Sequence, residues 1–314
     1  MNTVPISTRF LKRSVPLVPY FICFLLLVTS SSFNQIAITN GLFQLLLFLL
    51  IVNIPAYLTK RMSYVDIGWP WGLVTIGLVS FFMGDGYWLR KLIVSGMYIM
   101  AGLRMGVFAV KMYLKGHLKK ELPRYEYQRR RWEKGGYQSL DLSLQYEISI
   151  QCIANITFLA LPAMLQAFNT TPYLTPLEVF GYVLWIGAFV TEHVADLQKV
   201  KFASQAYKEG KKGACCNVGL WKYSRHPNYF AEWMVWNALI ISSLSSVLYF
   251  YQKEHLLVWI GLLIGLIFIS RLLYLTLVYY TGAIPSEYYS MQKRPGYKEY
   301  RQRTNIFFPG KPGA

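Results

Sequence analysis

Long apolar blocks separated by short basic segments are the feature that most constrains how this chain can fold. About 20 consecutive apolar residues are needed to cross the hydrocarbon core of a bilayer as a helix. Blocks of roughly that length lie at 16–33, 40–58, 67–83, 91–113, 148–168, 175–196, 228–250 and 256–280. The pattern predicts an all-α, polytopic transmembrane bundle of about eight spans that forms a single domain over residues 1–314.

The distribution of positive charge predicts the orientation of these spans. The net charge is +17, and 26 Lys and Arg residues lie in the N-terminal segment, in alternate loops and in the tail, against 3 in or directly beside the other loops. Cytoplasmic loops carry such an excess, so both termini are expected in the cytoplasm, and the charge indicates membrane lipids rather than nucleic acid as partners. A bacterial inner membrane and an endoplasmic reticulum membrane both fit. Cleavage of the first block as a signal peptide stays open.

Several common kinds of cofactor site are excluded because their sequence motifs are absent. The four cysteines (Cys23, Cys152, Cys215 and Cys216) form neither a disulfide framework nor a zinc pattern, and no metal-ligand set is present. The sequence also lacks a P-loop and a GxGxxG fingerprint after a strand. Any nucleotide must therefore be held by the helix bundle itself.

Most ionisable residues inside or at the ends of the predicted spans fall in one leaflet, and Glu178 is an exception at the outer end. Those in the predicted cytoplasmic half are Asp66, Arg104, Glu192, Asp196, Glu232 and Arg271. A transporter is expected to place its polar groups near the midplane, whereas charged residues in membrane helices generally mark functional sites. The one-sided pattern favours an enzyme pocket that opens to the cytoplasm and receives a lipid-phase substrate.

The start of the seventh span concentrates these groups. Asn228 and Glu232 are four residues apart and share one helix face. Pro227 suits the first turn of a helix, which places Arg225 and His226 at an N-terminus where free N–H groups favour an anion. On the sixth span Lys199 follows Asp196, although basic residues there also satisfy the positive-inside rule. The basic stretch 115–134 is expected to be a surface-bound amphipathic segment.

Five segments carry a family resemblance. They are SYVDIGW (63–69), GLR (102–104), ADLQKVKF (195–202), YSRHPNYFAEW (223–233) and RPGYKEYRQRTNIFFP (294–309), and they are densest in 192–309. With these motifs the chain resembles the steroid 5-alpha-reductase superfamily, in particular its prokaryotic-type branch labelled a domain of unknown function.

The resemblance implies a membrane reductase that uses NADPH to reduce a carbon–carbon double bond conjugated to a carbonyl in a steroid-like or other lipid substrate. It implies that Asp66 and Tyr98 polarise the substrate and that the tail, with Tyr297, Tyr300 and Arg303, folds back over the cytoplasmic mouth. The implied cofactor contacts are Arg104, Asp196, Lys199, Arg225, His226, Asn228, Tyr229, Glu232 and Arg271.

Two other functions stay open. An S-adenosylmethionine-dependent membrane methyltransferase of a lipid or an isoprenylcysteine would share the RHPxY start of the seventh span. A non-catalytic lipid-binding protein would have the same fold but no enzymatic activity. The sequence does not identify the substrate, because the apolar residues that would line its pocket recur throughout the spans.

Overall fold

The structure, a computed structural model, describes residues 13–137, 139–211 and 213–313, and every regular element within them is helical. The helices are α1 (Val18–Thr29), α2 (Asn34–Phe48), α3 (Ile54–Thr59), α4 (Val65–Met83), α5 (Trp88–Leu114), α6 (Pro123–Lys134), α7 (Leu140–Ile156), α8 (Leu161–Ala167), α9 (Pro176–Lys208), α10 (Pro227–Phe250), α11 (Leu256–Leu275), α12 (Ala283–Lys293) and α13 (Tyr297–Arg303). The predicted all-α class is confirmed.

Seven helical segments of the described chain are long and apolar enough to cross a membrane. They are Asn34–Thr59, Val65–Met83, Trp88–Leu114, Leu140–Ala167, Pro176–Lys208, Pro227–Phe250 and Leu256–Lys293. The first apolar block forms a shorter helix, Val15–Thr29. At 1.5 Å per residue it is about 22 Å long, less than the roughly 30 Å hydrocarbon core. The sequence thus predicts one more full-length span than this part of the chain contains.

The chain divides into two compact units. The first unit comprises Met1–Glu178 and Ser242–Ile269, and the second comprises Val179–Ile241 and Ser270–Ala314. The boundaries fall inside α9, α10 and α11, so the chain passes between the units within continuous helices. The single-domain organisation and the cytoplasmic termini stay predictions.

Glycines bring two helices of the first unit into backbone contact. Although Pro70 lies inside α4, the helix runs unbroken to Met83. A Cβ placed on Gly102 of α5 would lie 2.5 Å from the carbonyl oxygen of Pro70 and 2.9 Å from the backbone nitrogen of Val74. Small residues permit such close packing between membrane helices, which explains why the glycine-rich block at 67–83 forms a well-buried span.

The predicted span at 148–168 is broken in the structure. Helix α7 ends at Ile156 and α8 begins at Leu161. Pro162 explains the interruption, because proline lacks a backbone N–H and its ring collides with the carbonyl four residues earlier in a continuous helix.

The segment 115–134 is more deeply involved in the first unit than predicted. Helix α6 begins with Pro123 and buries Tyr125, Gln128 and Trp132, which recur at helical spacing. Tyr125 and Trp132 belong to the hydrophobic core of the unit. The segment is amphipathic, as predicted, but its apolar face packs against protein.

Helix α9 continues beyond the predicted end of the sixth span. The sequence places a loop at 197–227, but the helix extends to Lys208. Neither glycine nor proline occurs between Asp196 and Gly210, whose φ of +70° is left-handed. Asp196 and Lys199 therefore lie on one continuous helix.

We predict that Gly102→Ala destabilises the first unit by on the order of 1 to 3 kcal/mol, because its methyl group would force α4 and α5 apart. Gly96→Ala on the same helix is the matched control, since nothing lies within 4 Å of a Cβ at that position. Thermal unfolding of both variants in detergent checks this. Equal stability of the two would contradict the proposed backbone contact.

Candidate functional site

The predicted site centres on the segment 219–236, at the start of α10 in the second unit. A short 3-10 turn, Gly219–Lys222, precedes the helix, and Pro227 occupies its first turn. Ser224 donates to the carbonyl oxygen of Phe307 at 2.8 Å and accepts from the His226 backbone N–H at 3.1 Å. The entry to the helix is thus tied to the C-terminal tail.

Arg225 is the main anchor of this entry. Its guanidinium forms two hydrogen bonds to the Glu287 carboxylate, at 2.6 Å and 3.2 Å. It also donates to the carbonyl oxygens of Arg301, at 3.0 Å, and of Thr304. The Arg225 backbone N–H donates to the carbonyl oxygen of Asn305 at 2.8 Å. The side chain is buried and engaged with protein, so its predicted contact with a cofactor stays a prediction.

His226 lies directly beside this ion pair. Its imidazole is buried, stacks on the Tyr229 ring at 5.3 Å, and places Nε2 3.3 Å from a Glu287 carboxylate oxygen. Burial lowers the pKa of His226, and the neighbouring Glu287 carboxylate offsets this only in part. The ring is therefore neutral at physiological pH.

The polar groups of α9 and α10 meet one turn further along. Asn228 Nδ2 donates to Asp196 Oδ1 at 3.1 Å. The other amide atom, Asn228 Oδ1, is buried and has no hydrogen-bond partner among the described residues. Glu232 follows Asn228 by four residues and shares its face of α10. We call Asp196, Asn228 and Glu232 the acceptor cluster.

An aromatic cluster fixes the tail against α10. Phe307 is fully buried, and the Trp233 indole donates to the Ser270 carbonyl oxygen at 2.9 Å. The interacting rings are Phe230, Trp233, Tyr274, Phe307 and Phe308. Tyr300 donates to the Trp221 carbonyl oxygen at 2.5 Å and, like Tyr297, is buried, whereas Arg303 is exposed. The tail packs against 219–236, and its position over a cytoplasmic mouth stays a prediction.

The predicted catalytic pair belongs to the first unit, and the structure does not bring its members together. Tyr98 is buried and donates to the Leu159 carbonyl oxygen at 2.6 Å. It lies beside Gly77, 11 residues along α4 from Asp66, which corresponds to roughly 16 Å of helix. Tyr98 therefore packs against a different part of α4 from Asp66, and a joint action of the two on a substrate stays a prediction.

Asp66 instead contacts two residues of α6. Its carboxylate forms an ion pair with Arg124 and accepts a hydrogen bond from the Tyr125 hydroxyl. Burial raises the pKa of Tyr125, and the Asp66 charge raises it further. Tyr125 is thus the phenol beside Asp66 and keeps its proton at neutral pH.

The remaining predicted residues have different surroundings. Arg104 is a partly buried residue of α5 in the first unit, and Arg271 is an exposed residue of α11 in the second. Lys199 Nζ lies 4.3 Å from the centre of the Trp221 ring. Lys212, a further basic residue after α9 and a candidate for binding cofactor phosphates, lies outside the described residues. The functional roles of these cations stay predictions.

Glu287 and Tyr125 were missed at the sequence level. Glu287 is one of only two acidic residues after position 254, in a strongly basic segment. An isolated acidic residue among basic ones indicates a buried ion pair, so the role of Glu287 could have been predicted from the sequence. The only sequence signal at Tyr125 is its helical spacing from Trp132, which indicates burial and not a site.

These observations define a helical membrane protein with a polar cluster at one helix entry. A family model described as "Protein of unknown function (DUF1295)" matches residues 53–304, and the chain belongs to this family. The family is related to steroid 5-alpha-reductase-like proteins. The match includes the acceptor cluster, Arg225 and Glu287.

Comparison with curated proteins gives a relative in Schizosaccharomyces pombe (strain 972 / ATCC 24843). The chain is 25% identical to "Uncharacterized protein C594.04c" over 277 residues, which is 82% of this chain and 75% of the relative. No solved structure matches the chain.

We predict that Arg225→Lys lowers the free energy of unfolding by about 3 kcal/mol, because a lysine cannot reproduce the forked contact with Glu287 and leaves it partly unpaired. The tail should also become sensitive to limited proteolysis. Arg303→Lys, at an exposed position of the same tail, is the matched control and should behave like the wild type. Unchanged unfolding of Arg225→Lys would show that the anchor is dispensable.

Proposed function

We propose that this protein is an NADPH-dependent membrane reductase that acts on a carbon–carbon double bond conjugated to a carbonyl in a lipid substrate. Its family relationship supports this proposal. Its seven membrane-length helices also support it, because they give a lipid-phase substrate access to the protein. The finer assignment to a prokaryotic-type, steroid reductase-like branch is part of the proposal.

The unsatisfied acceptor of Asn228 carries the proposal. A buried polar atom without a hydrogen bond costs roughly 1 to 3 kcal/mol, so natural proteins seldom leave one without a reason. Asn228 Oδ1 is such an atom, and the neighbouring amide nitrogen is held by Asp196 at 3.1 Å. The orientation of the amide is therefore fixed, with an acceptor aimed at a donor that the described chain does not provide.

The acceptor cluster fits the donors that NADPH offers. The ribose hydroxyls and the nicotinamide carboxamide donate hydrogen bonds, and Asp196, Asn228 and Glu232 would accept them. When bound, NADPH supplies the hydride for the beta carbon of the substrate. The protein fixes the cofactor in place through residues whose own positions are set by α9 and α10.

The residues at the entry of α10 have a positioning role in this proposal. Arg225 and Glu287 hold the first turn of the helix against the tail, and the neutral His226 supports the Tyr229 ring by stacking. In the first unit, the Tyr125 hydroxyl donates its hydrogen to Asp66, so a contact of Asp66 with the substrate stays a prediction. Arg271, in the second unit, is proposed as a further cofactor contact, and the role of Arg104 in the first unit stays a prediction.

Retention of a cofactor by the washed, purified protein tests the proposal. We expect NADPH to bind and S-adenosylmethionine not to bind. Asn228→Ala should weaken NADPH binding about tenfold, the effect of losing roughly 1.4 kcal/mol, and Glu232→Gln should also weaken it. Asn237→Ala is the control, because Asn237 lies on the same helix but bonds to Trp233 and Ser270.

Other outcomes would overturn the proposal. Selective retention of S-adenosylmethionine would identify a methyltransferase. A folded protein that binds neither cofactor, whether or not Asn228 is changed, would identify a non-catalytic lipid-binding protein. Reduction of an enone lipid in vesicles, followed by mass spectrometry, then tests the reaction itself.

A further inference from the structure

A cavity of about 240 Å³ lies beside the end of α9 in the second unit. We call it the cationic pocket. Its charged lining residues are Lys199, Lys211 and Arg294, and the rings of Phe202 and Tyr207 and the Cys216 thiol lie beside them. No Asp or Glu is among its lining residues.

Two of the three cations have no anionic partner. Lys211 pairs with Glu209 at 2.9 Å. Lys199 has a cation–π contact with Trp221, and neither Lys199 nor Arg294 has a carboxylate within ion-pair distance among the described residues. Two cations that share a cavity repel each other, and an anion between them would relieve that repulsion.

Cys216 lines the same cavity as Lys199 and Arg294. Burial raises the pKa of its thiol, and the positive charges of Lys199 and Arg294 oppose that rise. The electrostatic effect on Cys216 agrees with the presence of both cations in the lining of this cavity.

Neither the usual excess of basic residues on the cytoplasmic side nor the helix dipole explains why Lys199 lies in this cavity. Basic residues on the cytoplasmic side usually extend into solvent, as the exposed Lys201 and Lys208 do. Cations in the last turn of a helix also offset its negative end. Lys199, however, is partly buried and lies more than two turns before the end of α9 at Lys208.

We propose that the cationic pocket binds a phosphate group. Arginine suits the oxygens of a phosphate through paired hydrogen bonds, and lysine contributes a point charge. The phosphate could be carried by a membrane lipid headgroup or by a soluble phosphorylated ligand, including a phosphorylated cofactor. The proposal does not depend on hydride transfer, because the charges and the cavity stand without it.

Binding of radiolabelled inorganic phosphate to the full chain in phosphatidylcholine nanodiscs tests the proposal. We expect saturable binding that Lys199→Gln and Arg294→Gln each weaken about tenfold and that added salt also weakens. Lys222→Gln, an exposed cation that does not line the pocket, is the control and should change binding less than about twofold. Lys199→Arg keeps the charge and should retain binding.

Competition identifies the source of the phosphate. Displacement by phosphatidic acid placed in the nanodisc indicates a lipid headgroup, and stronger displacement by NADPH than by NADH indicates the extra phosphate of the cofactor. Either outcome supports the pocket. If NADPH fails to bind while phosphatidic acid binds, the proposed reductase function fails and the phosphate site stands.

The proposal is overturned if the wild type shows no saturable phosphate binding. It is also overturned if the Lys199→Gln and Arg294→Gln double variant binds phosphate as well as the wild type does. Thermal unfolding confirms that each variant is folded before its binding is compared.

Discussion

The buried contact between Arg225 and Glu287 organises the second unit. One guanidinium joins the carboxylate of Glu287 to the carbonyl groups of Arg301 and Thr304, so a single side chain fixes both the entry of α10 and the tail. Such a pair is strongly destabilising when only one partner is removed, because the other is left as a buried charge. Its satisfied hydrogen bonds explain how charged groups persist in so apolar a chain.

The anchor gives the acceptor cluster a fixed position. With the first turn of α10 held in place, Asn228 meets Asp196, and its second amide atom is left without a donor among the described residues. A fixed scaffold beside an unsatisfied acceptor is what a preorganised ligand site requires. The nearby cationic pocket, with Lys199 on the same helix as Asp196, supplies the opposite charge. Donors and acceptors for one or more polar ligands thus lie along α9.

The sequence predicted the features that depend on local pattern. The lengths of the apolar blocks predicted the positions of the spans, and helical spacing predicted that Asn228 and Glu232 share one face of α10. It could not predict which side chains meet across the fold. Asp66 and Tyr98 lie on neighbouring helices, but Tyr98 packs beside Gly77, which is about 16 Å along α4 from Asp66. The partner of Arg225 lies 62 residues away at Glu287, beyond any local pattern.

Hydrogen exchange of the full chain in nanodiscs, measured with and without NADPH, is the most direct test of the central claim. The account predicts slower exchange at the backbone amides of 195–199 and 225–232, where the acceptor cluster and its anchor lie. Unchanged exchange in both segments, at NADPH concentrations that saturate binding, would contradict it. Protection of the same segments by S-adenosylmethionine alone would keep the site but reassign its ligand.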